Sequence, residues 1–316
     1  MECAPGLTVW GMRFALGTIP FGTAVNERDT FAILDRFAEA GGTVLDTANN
    51  YPFWIEGCTG DESEQAIGAW LAARGNRDRM VLSTKVGARP VDPADLSRYE
   101  GLSAPVIAKA VEGSLRRLRT DYIDVYWSHV EDRSVTLEET LGAFHELTAD
   151  GRVREIGASN VPAWRLERAR AVARANGWTP YTHVQSRHTY LRPRPNARLA
   201  ESAHVLVTDD LLDYVADTPD LTLWPYNTLL AGAYTREDRP LPESYDHPGT
   251  ARRLKVLREV AIEVGATPNQ VVLAWLIADG HLPIVGVSSL AQLEEAVTGA
   301  SLSLDGDQKK RMAEAW

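Results

Sequence analysis

Apolar residues along the chain follow two alternating patterns. Short β-branched and aromatic runs, typical of buried strands, alternate with longer segments in which apolar residues recur every three or four positions, typical of amphipathic helices. The strand candidates are residues 14–16, 43–45, 80–84, 123–126, 155–158, 182–185, 221–224 and 282–285. The helical segments include residues 28–40, 62–73, 104–118, 137–150, 163–176 and 209–217. Eight strands with intervening helices predict an α/β fold, a (β/α)8 TIM barrel formed by residues 1–316 as one domain.

A doubly wound sheet is the alternative fold for this alternation. It would need a Gly-rich turn after the first strand, and no G-x-G-x-x-G occurs in the chain. Residues 6–17 are expected to form a short N-terminal β-hairpin that closes the bottom of the barrel. Residues 231–250 are rich in proline and weakly periodic, which predicts a long loop, expected at the C-terminal face of the barrel. Thr136 ahead of Glu139, and Pro268, are expected to mark helix starts.

Composition and charge narrow the classes of partner. The apolar fraction of 44% and the charged fraction of 24% are ordinary for a globular protein. A formal net charge of −10 disfavours nucleic acid and anionic membranes as partners, because their surfaces repel an acidic protein. The longest apolar stretch is too short to span a bilayer, and the N-terminus lacks the pattern of a signal peptide. With two cysteines and no C-x-x-C pair, a cytoplasmic location is expected.

Chemically active side chains fall at the ends of the predicted strands. Asp46 and Tyr51 follow the second strand, Lys85 ends the third, and His129 follows the fourth. Taken singly, these residues are explained by a capped turn, a surface lysine and a buried histidine. In a (β/α)8 barrel, however, the carboxyl ends of the strands meet at one face, where active sites form. A buried lysine there would need a charged partner, which Asp46 could supply.

The ordered motifs resemble the aldo-keto reductase superfamily. The matching segments are LGTIPFG, DTANNY, STKVG, YIDVYWSH, GRVREIGASN, VQ and IVGVSSLAQLEE, which are spread over most of the chain. The similarity is greatest to bacterial ketone- and sugar-type reductases, a branch that also resembles potassium-channel β subunits. It implies NAD(P)H-dependent reduction of the carbonyl of an aldehyde, ketone or sugar-like small molecule to an alcohol.

The four residues fit that chemistry on their own terms. Reduction of a carbonyl creates an alkoxide that needs a proton, and a phenol with an ordinary pKa near 10 gives one up reluctantly. An ammonium group beside Tyr51 would stabilise the phenolate, so Lys85, held by Asp46, is expected to lower the pKa of Tyr51. Tyr51 would then be the general acid, and His129 would hydrogen-bond the substrate carbonyl.

The resemblance also implies the residues that bind the cofactor. Ser159, Asn160 and Gln185 would hold the nicotinamide carboxamide, and Tyr226 would stack on the ring; an alternative for Ser159 and Asn160 is a helix N-cap. The remaining expected cofactor contacts are Thr18, Asp46, Leu229, Gly232, Ser288, Gln292 and Glu295. NADP(H) is the expected cofactor.

The chain departs from the family pattern in two places. The segment VGVSSLAQLEEA contains no lysine or arginine where a cation usually binds the 2′-phosphate, which keeps NAD(H) open as an alternative cofactor. Pro52 replaces the usual glycine after the catalytic tyrosine. Trp54, Trp127 and His188 are expected to line the substrate pocket.

Two other classes of function compete with a reductase. One is a cofactor-binding regulatory subunit of the same fold with little catalysis. It is disfavoured by the intact quartet, which consists of Asp46, Tyr51, Lys85 and His129. The other is a metal-dependent barrel hydrolase, but its histidine and aspartate ligands are too few at the strand ends, and no metal is expected. The natural substrate, the direction of reaction and the oligomeric state do not follow from the motifs.

Overall fold

The computed structural model describes residues 12–92, 95–197, 199 and 203–315. Eight parallel strands form one sheet: β1 Ala15–Gly17, β2 Val44–Asp46, β3 Val81–Val86, β6 Ile123–Ser128, β7 Val153–Ser159, β8 His183–Arg187, β9 Thr222–Tyr226 and β10 Ile284–Gly286. Their order is β10-β1-β2-β3-β6-β7-β8-β9. The Leu282 amide donates to the Leu223 carbonyl at 3.0 Å, which brings the two ends of the sheet together. The result is the predicted (β/α)8 barrel.

Helices cover the outside of this barrel. They are α1 Glu27–Glu39, α2 Glu62–Arg74, α3 Ala104–Leu118, α4 Leu137–Ala149, α5 Ala163–Ala175, α6 Asp209–Ala216, α7 Pro248–Glu263, α8 Pro268–Ala278, α9 Leu290–Ser301 and α10 Gly306–Glu314. Thr136 caps α4 as predicted, because its hydroxyl accepts from the Glu139 amide. Helix α8 begins at Pro268, and its cap Thr267 forms a reciprocal capping box with Gln270.

Each predicted strand is present in the structure, with ends shifted by up to two residues. Residues 6–11 of the expected N-terminal hairpin lie outside the described part of the chain. The sequence pattern missed two short strands that pair antiparallel, β4 at Pro90–Asp92 and β5 at Asp95–Tyr99. The segment 231–250 is largely irregular as predicted, although it contains the short helical turn Glu243–Tyr245 and the start of α7.

The barrel interior is filled by aromatic and aliphatic side chains rather than by solvent. Trp127 and Trp224 are fully buried and pack edge to face, with ring centroids 5.3 Å apart. Smaller residues complete this layer: Ala15, Val44, Val125, Leu282 and Ile284. Any site must therefore lie above this layer, at the carboxyl ends of the strands.

Candidate active site

The centre of the site is a lysine held between a carboxylate and a phenol. Lys85, at the end of β3, is fully buried, and its Nζ lies 2.7 Å from Asp46 Oδ2 and 3.3 Å from Tyr51 Oη. The Thr47 carbonyl accepts a third hydrogen bond from Nζ at 2.6 Å. Three oxygens around the ammonium group satisfy its three donors, so the buried charge is compensated.

Burial and charge set the protonation of this pair. Burial disfavours the charged form of Lys85, but the charge of Asp46 and the contact with Tyr51 outweigh it and raise the pKa of Lys85. The pKa of Tyr51 is also raised, because burial exceeds the lowering effect of Lys85, and the charge of Asp46 opposes Lys85 further. Lys85 does act to lower the pKa of Tyr51, as expected. The prediction that this pKa lies below its ordinary value was wrong, because burial and Asp46 raise it. Tyr51 holds its proton at neutral pH.

His129 stands beside this pair just beyond β6. Its ring centroid lies 5.7 Å from that of Tyr51, in an edge-to-face arrangement. Burial, with smaller effects from Lys85 and His204, lowers the pKa of His129 well below its ordinary value. The imidazole is therefore neutral at neutral pH and carries one N–H donor. It can donate to a carbonyl oxygen next to the Tyr51 hydroxyl.

A cavity of about 710 Å³ opens above these residues. Asp46, Tyr51 and His129 lie at one end of its wall, and Ser288, Gln292 and Glu295 belong to the segment around α9 that forms another part. The remaining predicted residues that line it are Ser159, Asn160, Gln185, Tyr226, Leu229 and Gly232. Its volume is within the usual range for cofactor and substrate sites.

Asn160 organises the wall formed by β7 and β9. Its amide nitrogen donates to the His129 carbonyl and to Ser159 Oγ, each at 3.0 Å. Its amide oxygen accepts from the Val205 amide at 3.0 Å and from Tyr226 Oη at 2.7 Å. These four bonds use the hydrogen-bonding capacity of the amide, so Asn160 fixes the Tyr226 ring. Helix α5 is capped by Pro162, and the alternative that Ser159 and Asn160 cap it was wrong.

The loop after β9 has an unusual backbone along the cavity. Asn227, Leu230 and Ala231 have left-handed φ angles of 55°, 48° and 54°, and Gly232 has a φ of 92°. Left-handed leucine and alanine are strained, and such strain is concentrated at binding sites in proteins. The turn brings Leu229 and Gly232 to the cavity wall, as expected from the sequence.

Three predicted contacts lie elsewhere. Thr18 is fully buried, and its hydroxyl donates to the Asp46 carbonyl at 2.9 Å, so it supports Asp46 from behind the cavity. Trp127 points into the barrel interior, where its Nε1 donates to Ser83 Oγ at 2.7 Å. His188, just beyond the end of β8, is buried against Trp275, with ring centroids 5.8 Å apart. None of these three side chains lines the cavity.

Trp54, the fourth predicted contact, lies beside Tyr51 but is not among the residues that line the cavity. Its ring is 5.9 Å from the Tyr51 ring, edge to face, and the residue is 49% exposed. This places an apolar ring beside the phenol at the surface end of the site.

Sequence reasoning missed several residues of the cavity. The basic ones are Arg187, His204, Arg236 and Arg239, and a further amide is Asn269. Arg187 could have been found from strand alternation, because it shares a face of β8 with Gln185. The arginines of the 231–250 loop gave no periodic signal. They bring guanidinium groups to the cavity, which the segment around α9 lacks, although Arg236 is also paired with Asp238.

Within residues 12–92, 95–197, 199 and 203–315, no group of three or more His, Cys, Asp or Glu side chains could hold a metal ion. In the same part of the chain no single helix is long and apolar enough to cross a membrane. The bent pair α7 and α8 meets that test by length and composition only.

Comparison with known proteins agrees with this geometry. The family model described as "Aldo/keto reductase family" matches residues 13–316. The chain belongs to the aldo/keto reductase family. It is 31% identical to norsolorinic acid reductase stcV of Emericella nidulans, over 93% of this chain and 75% of that protein. It is 30% identical to an aryl-alcohol dehydrogenase [NADP(+)] of Phanerodontia chrysosporium, over 97% and 83%.

A bacterial relative shows the same level of similarity. The uncharacterized oxidoreductase YrpG of Bacillus subtilis is 32% identical, over 93% of this chain and 88% of its own. Membership of the aldo/keto reductase family confirms the resemblance inferred from the motifs, and the family and its named reductases support an oxidoreductase that acts on carbonyl groups.

Proposed function

We propose that this aldo/keto reductase reduces the carbonyl group of an aldehyde, ketone or sugar-like substrate with NADP(H), and that Tyr51 is the general acid. The observation that carries the proposal is the position of Lys85 Nζ, 2.7 Å from Asp46 and 3.3 Å from the Tyr51 hydroxyl, beneath the cavity. A protonated phenol beside a buried cation can release its proton as negative charge develops on a nearby oxygen.

Each member of the quartet has a distinct task. Tyr51 Oη donates a proton to the developing alkoxide, and the Lys85 ammonium stabilises the phenolate that remains. Asp46 holds Lys85 in place and keeps it charged. Neutral His129 donates its N–H to the same substrate oxygen, which orients the carbonyl and shares its charge.

The wall residues fit a dinucleotide. Ser159 and Gln185 present a hydroxyl and an amide near the quartet, where a carboxamide needs both donors and acceptors. Tyr226 offers a ring held by its bond to Asn160. Arg236 and Arg239 share the cavity with Ser288 and Gln292, and guanidinium groups bind phosphate through charge-assisted hydrogen bonds. When bound, the reduced nicotinamide supplies the hydride that the carbonyl carbon accepts.

The substitution Tyr51→Phe tests the proposal. It keeps the ring and its contacts with Trp54 and His129 but removes the proton donor. Turnover of a carbonyl panel, followed by loss of reduced-nicotinamide absorbance, should fall by about 10²- to 10⁴-fold. Cofactor binding, followed by fluorescence quenching, should stay within about twofold of wild type because the hydroxyl faces the reacting carbonyl. Full activity in this variant would refute the assignment of Tyr51.

A further inference from the structure

A buried hydrogen-bond chain reaches Asp46 from the interior of the barrel. Ser83 Oγ lies 2.7 Å from Asp46 Oδ1, the carboxylate oxygen that does not bind Lys85. The same Ser83 oxygen lies 2.7 Å from Trp127 Nε1. Ser83 and Trp127 are fully buried, and Asp46 is 3% exposed. The chain therefore continues, through Asp46 and Lys85, to the Tyr51 hydroxyl.

The direction of this chain is fixed by its donors. An indole N–H can only donate, and an ionised carboxylate can only accept. Ser83 has one hydroxyl proton. Since its oxygen accepts from Trp127, that proton points to Asp46. The donor at Oδ1 is thus oriented before any ligand binds, and hydrogen bonds in such a series strengthen one another.

Strand pairing and packing hold the tryptophan in this position. Trp127 on β6 is paired with Lys85 on β3, so both side chains belong to the interior face of the barrel. On the other side its register partner is Gly157, where an added Cβ would come within 2.4 Å of the indole ring. The Trp224 ring packs against it edge to face. The indole therefore has one orientation, and its N–H is aimed at Ser83.

We propose that Ser83 and Trp127 are positioning residues of the reductase reaction, which orient Asp46 and withdraw part of its negative charge so that Lys85 acts more strongly on Tyr51. This inference rests on the proposed function. The charge of Asp46 raises the pKa of Tyr51, whereas Lys85 lowers it. A donor on Oδ1 weakens the first effect without touching Lys85. Gln185 Nε2, at 3.3 Å from the same oxygen, is a weaker second donor.

The test is the pH dependence of alcohol oxidation, in which Tyr51 must act as a base. Ser83→Ala removes the donor at Asp46, so the rise of kcat with pH should move upward by about one pH unit, with about a tenfold loss of kcat at neutral pH. Trp127→Phe keeps a ring in the barrel but lets the Ser83 hydroxyl rotate, so its shift should be smaller and in the same direction. KM and the cofactor dissociation constant should change less than about twofold, because neither residue lines the cavity.

Tyr126→Phe is the matched control. Tyr126 is the neighbour of Trp127 on β6 and is equally buried, and its hydroxyl has no hydrogen-bond partner among the described residues. Its pH profile should equal that of wild type. The pH profile of the double variant Ser83→Ala with Trp127→Phe should move no further than that of Ser83→Ala alone, since both changes interrupt the same series of hydrogen bonds.

Two results would overturn the proposal, and they are distinguishable. If Tyr51→Phe is inactive but Ser83→Ala and Trp127→Phe keep the wild-type pH profile, with only their melting temperatures lowered, the two residues are structural and the proposed function stands. If Tyr51→Phe retains turnover, the proposed function fails and the positioning role fails with it. Folding of each variant is checked by circular dichroism. Trp127→Phe supplies the profile on its own if Ser83→Ala does not fold.

Discussion

At the scale of single residues, the quartet was readable from the sequence because each member ends or follows a strand. The carboxyl ends of parallel strands converge in a barrel, so Asp46, Lys85 and His129 had to meet. Trp127 was wrongly predicted to line the substrate pocket. It lies one residue before the end of β6, and its side chain points into the barrel, on the same face of the sheet as Lys85. The indole therefore belongs to the layer of side chains beneath the cavity. The net direction of the Tyr51 pKa could not be predicted either, because it depends on how deeply the phenol is buried.

Arg239 carries a prediction about cofactor choice. It lies in the loop after β9, lines the cavity and has no counterpart in the segment around α9. If it binds the phosphate that distinguishes NADPH from NADH, Arg239→Ala should weaken NADPH binding by about tenfold. NADH binding, measured by the same fluorescence titration, should be nearly unchanged.

Arg252 provides the control for this charge removal. It is exposed on α7 and does not line the cavity, so Arg252→Ala changes the net charge equally. An equal loss of NADH and NADPH affinity in Arg239→Ala would place its contact elsewhere on the dinucleotide. A tenfold preference of the wild type for NADH would overturn the choice of NADP(H).

At the scale of elements, the strands were predictable because β-branched runs in the barrel are buried on both sides. The pairing of β4 with β5 was not predictable, since Pro90, Asp92 and Asp95 are poor strand formers. The loop from residue 231 was recognised as irregular. Its left-handed turn was not recognised, because Leu230 and Ala231 are residues that rarely adopt positive φ.

The close packing of β7 against the Trp127 indole can be tested by substitution. Gly157 is required because the Trp127 indole occupies the space that its side chain would take. Gly157→Ala should therefore destabilise the protein by about 1–3 kcal/mol through overpacking, measured by urea denaturation. Gly286→Ala, in β10, is the comparison, because an added Cβ there comes no closer than 4.0 Å to another residue. A similar cost at both positions would show that backbone flexibility, not the indole, sets the effect.

At the scale of the whole molecule, charge is distributed unevenly. The chain has a formal net charge of −10, yet Arg187, Arg236 and Arg239 converge on one cavity. Arg236 is also paired with Asp238, and Glu295 lies in the same wall, but three guanidinium groups at one cavity favour an anionic ligand there while the acidic surface elsewhere repels it. This contrast was invisible in the sequence, because the three arginines come from two distant segments.

Two buried histidines outside the site, His188 and His281, should make the protein less stable at acidic pH. Burial lowers the pKa of His188 to about 3, helped by His281 and nearby arginines, and burial lowers the pKa of His281 to about 4. In the unfolded chain both titrate near pH 6.5. The unfolded state therefore binds more protons between pH 6.5 and about 4, so stability is complete above this range and falls as the pH drops through it.

Urea denaturation between pH 7.5 and 4.5 measures this effect. The free energy of unfolding should fall by about 2 kcal/mol per histidine over the range. His281→Gln cannot titrate, so its stability should depend less steeply on pH than that of wild type. Equal slopes in the two proteins would contradict the assignment.

The aromatic layer inside the barrel affects how protons exchange between the site and solvent. Trp127, Trp224 and their neighbours seal the barrel beneath Lys85, which has no exposed surface of its own. Among the described residues, the lysine–tyrosine pair is therefore open to solvent on the side of the cavity. We therefore expect a ligand that fills the cavity to shield this pair from the buffer, so that proton exchange with solvent follows ligand release.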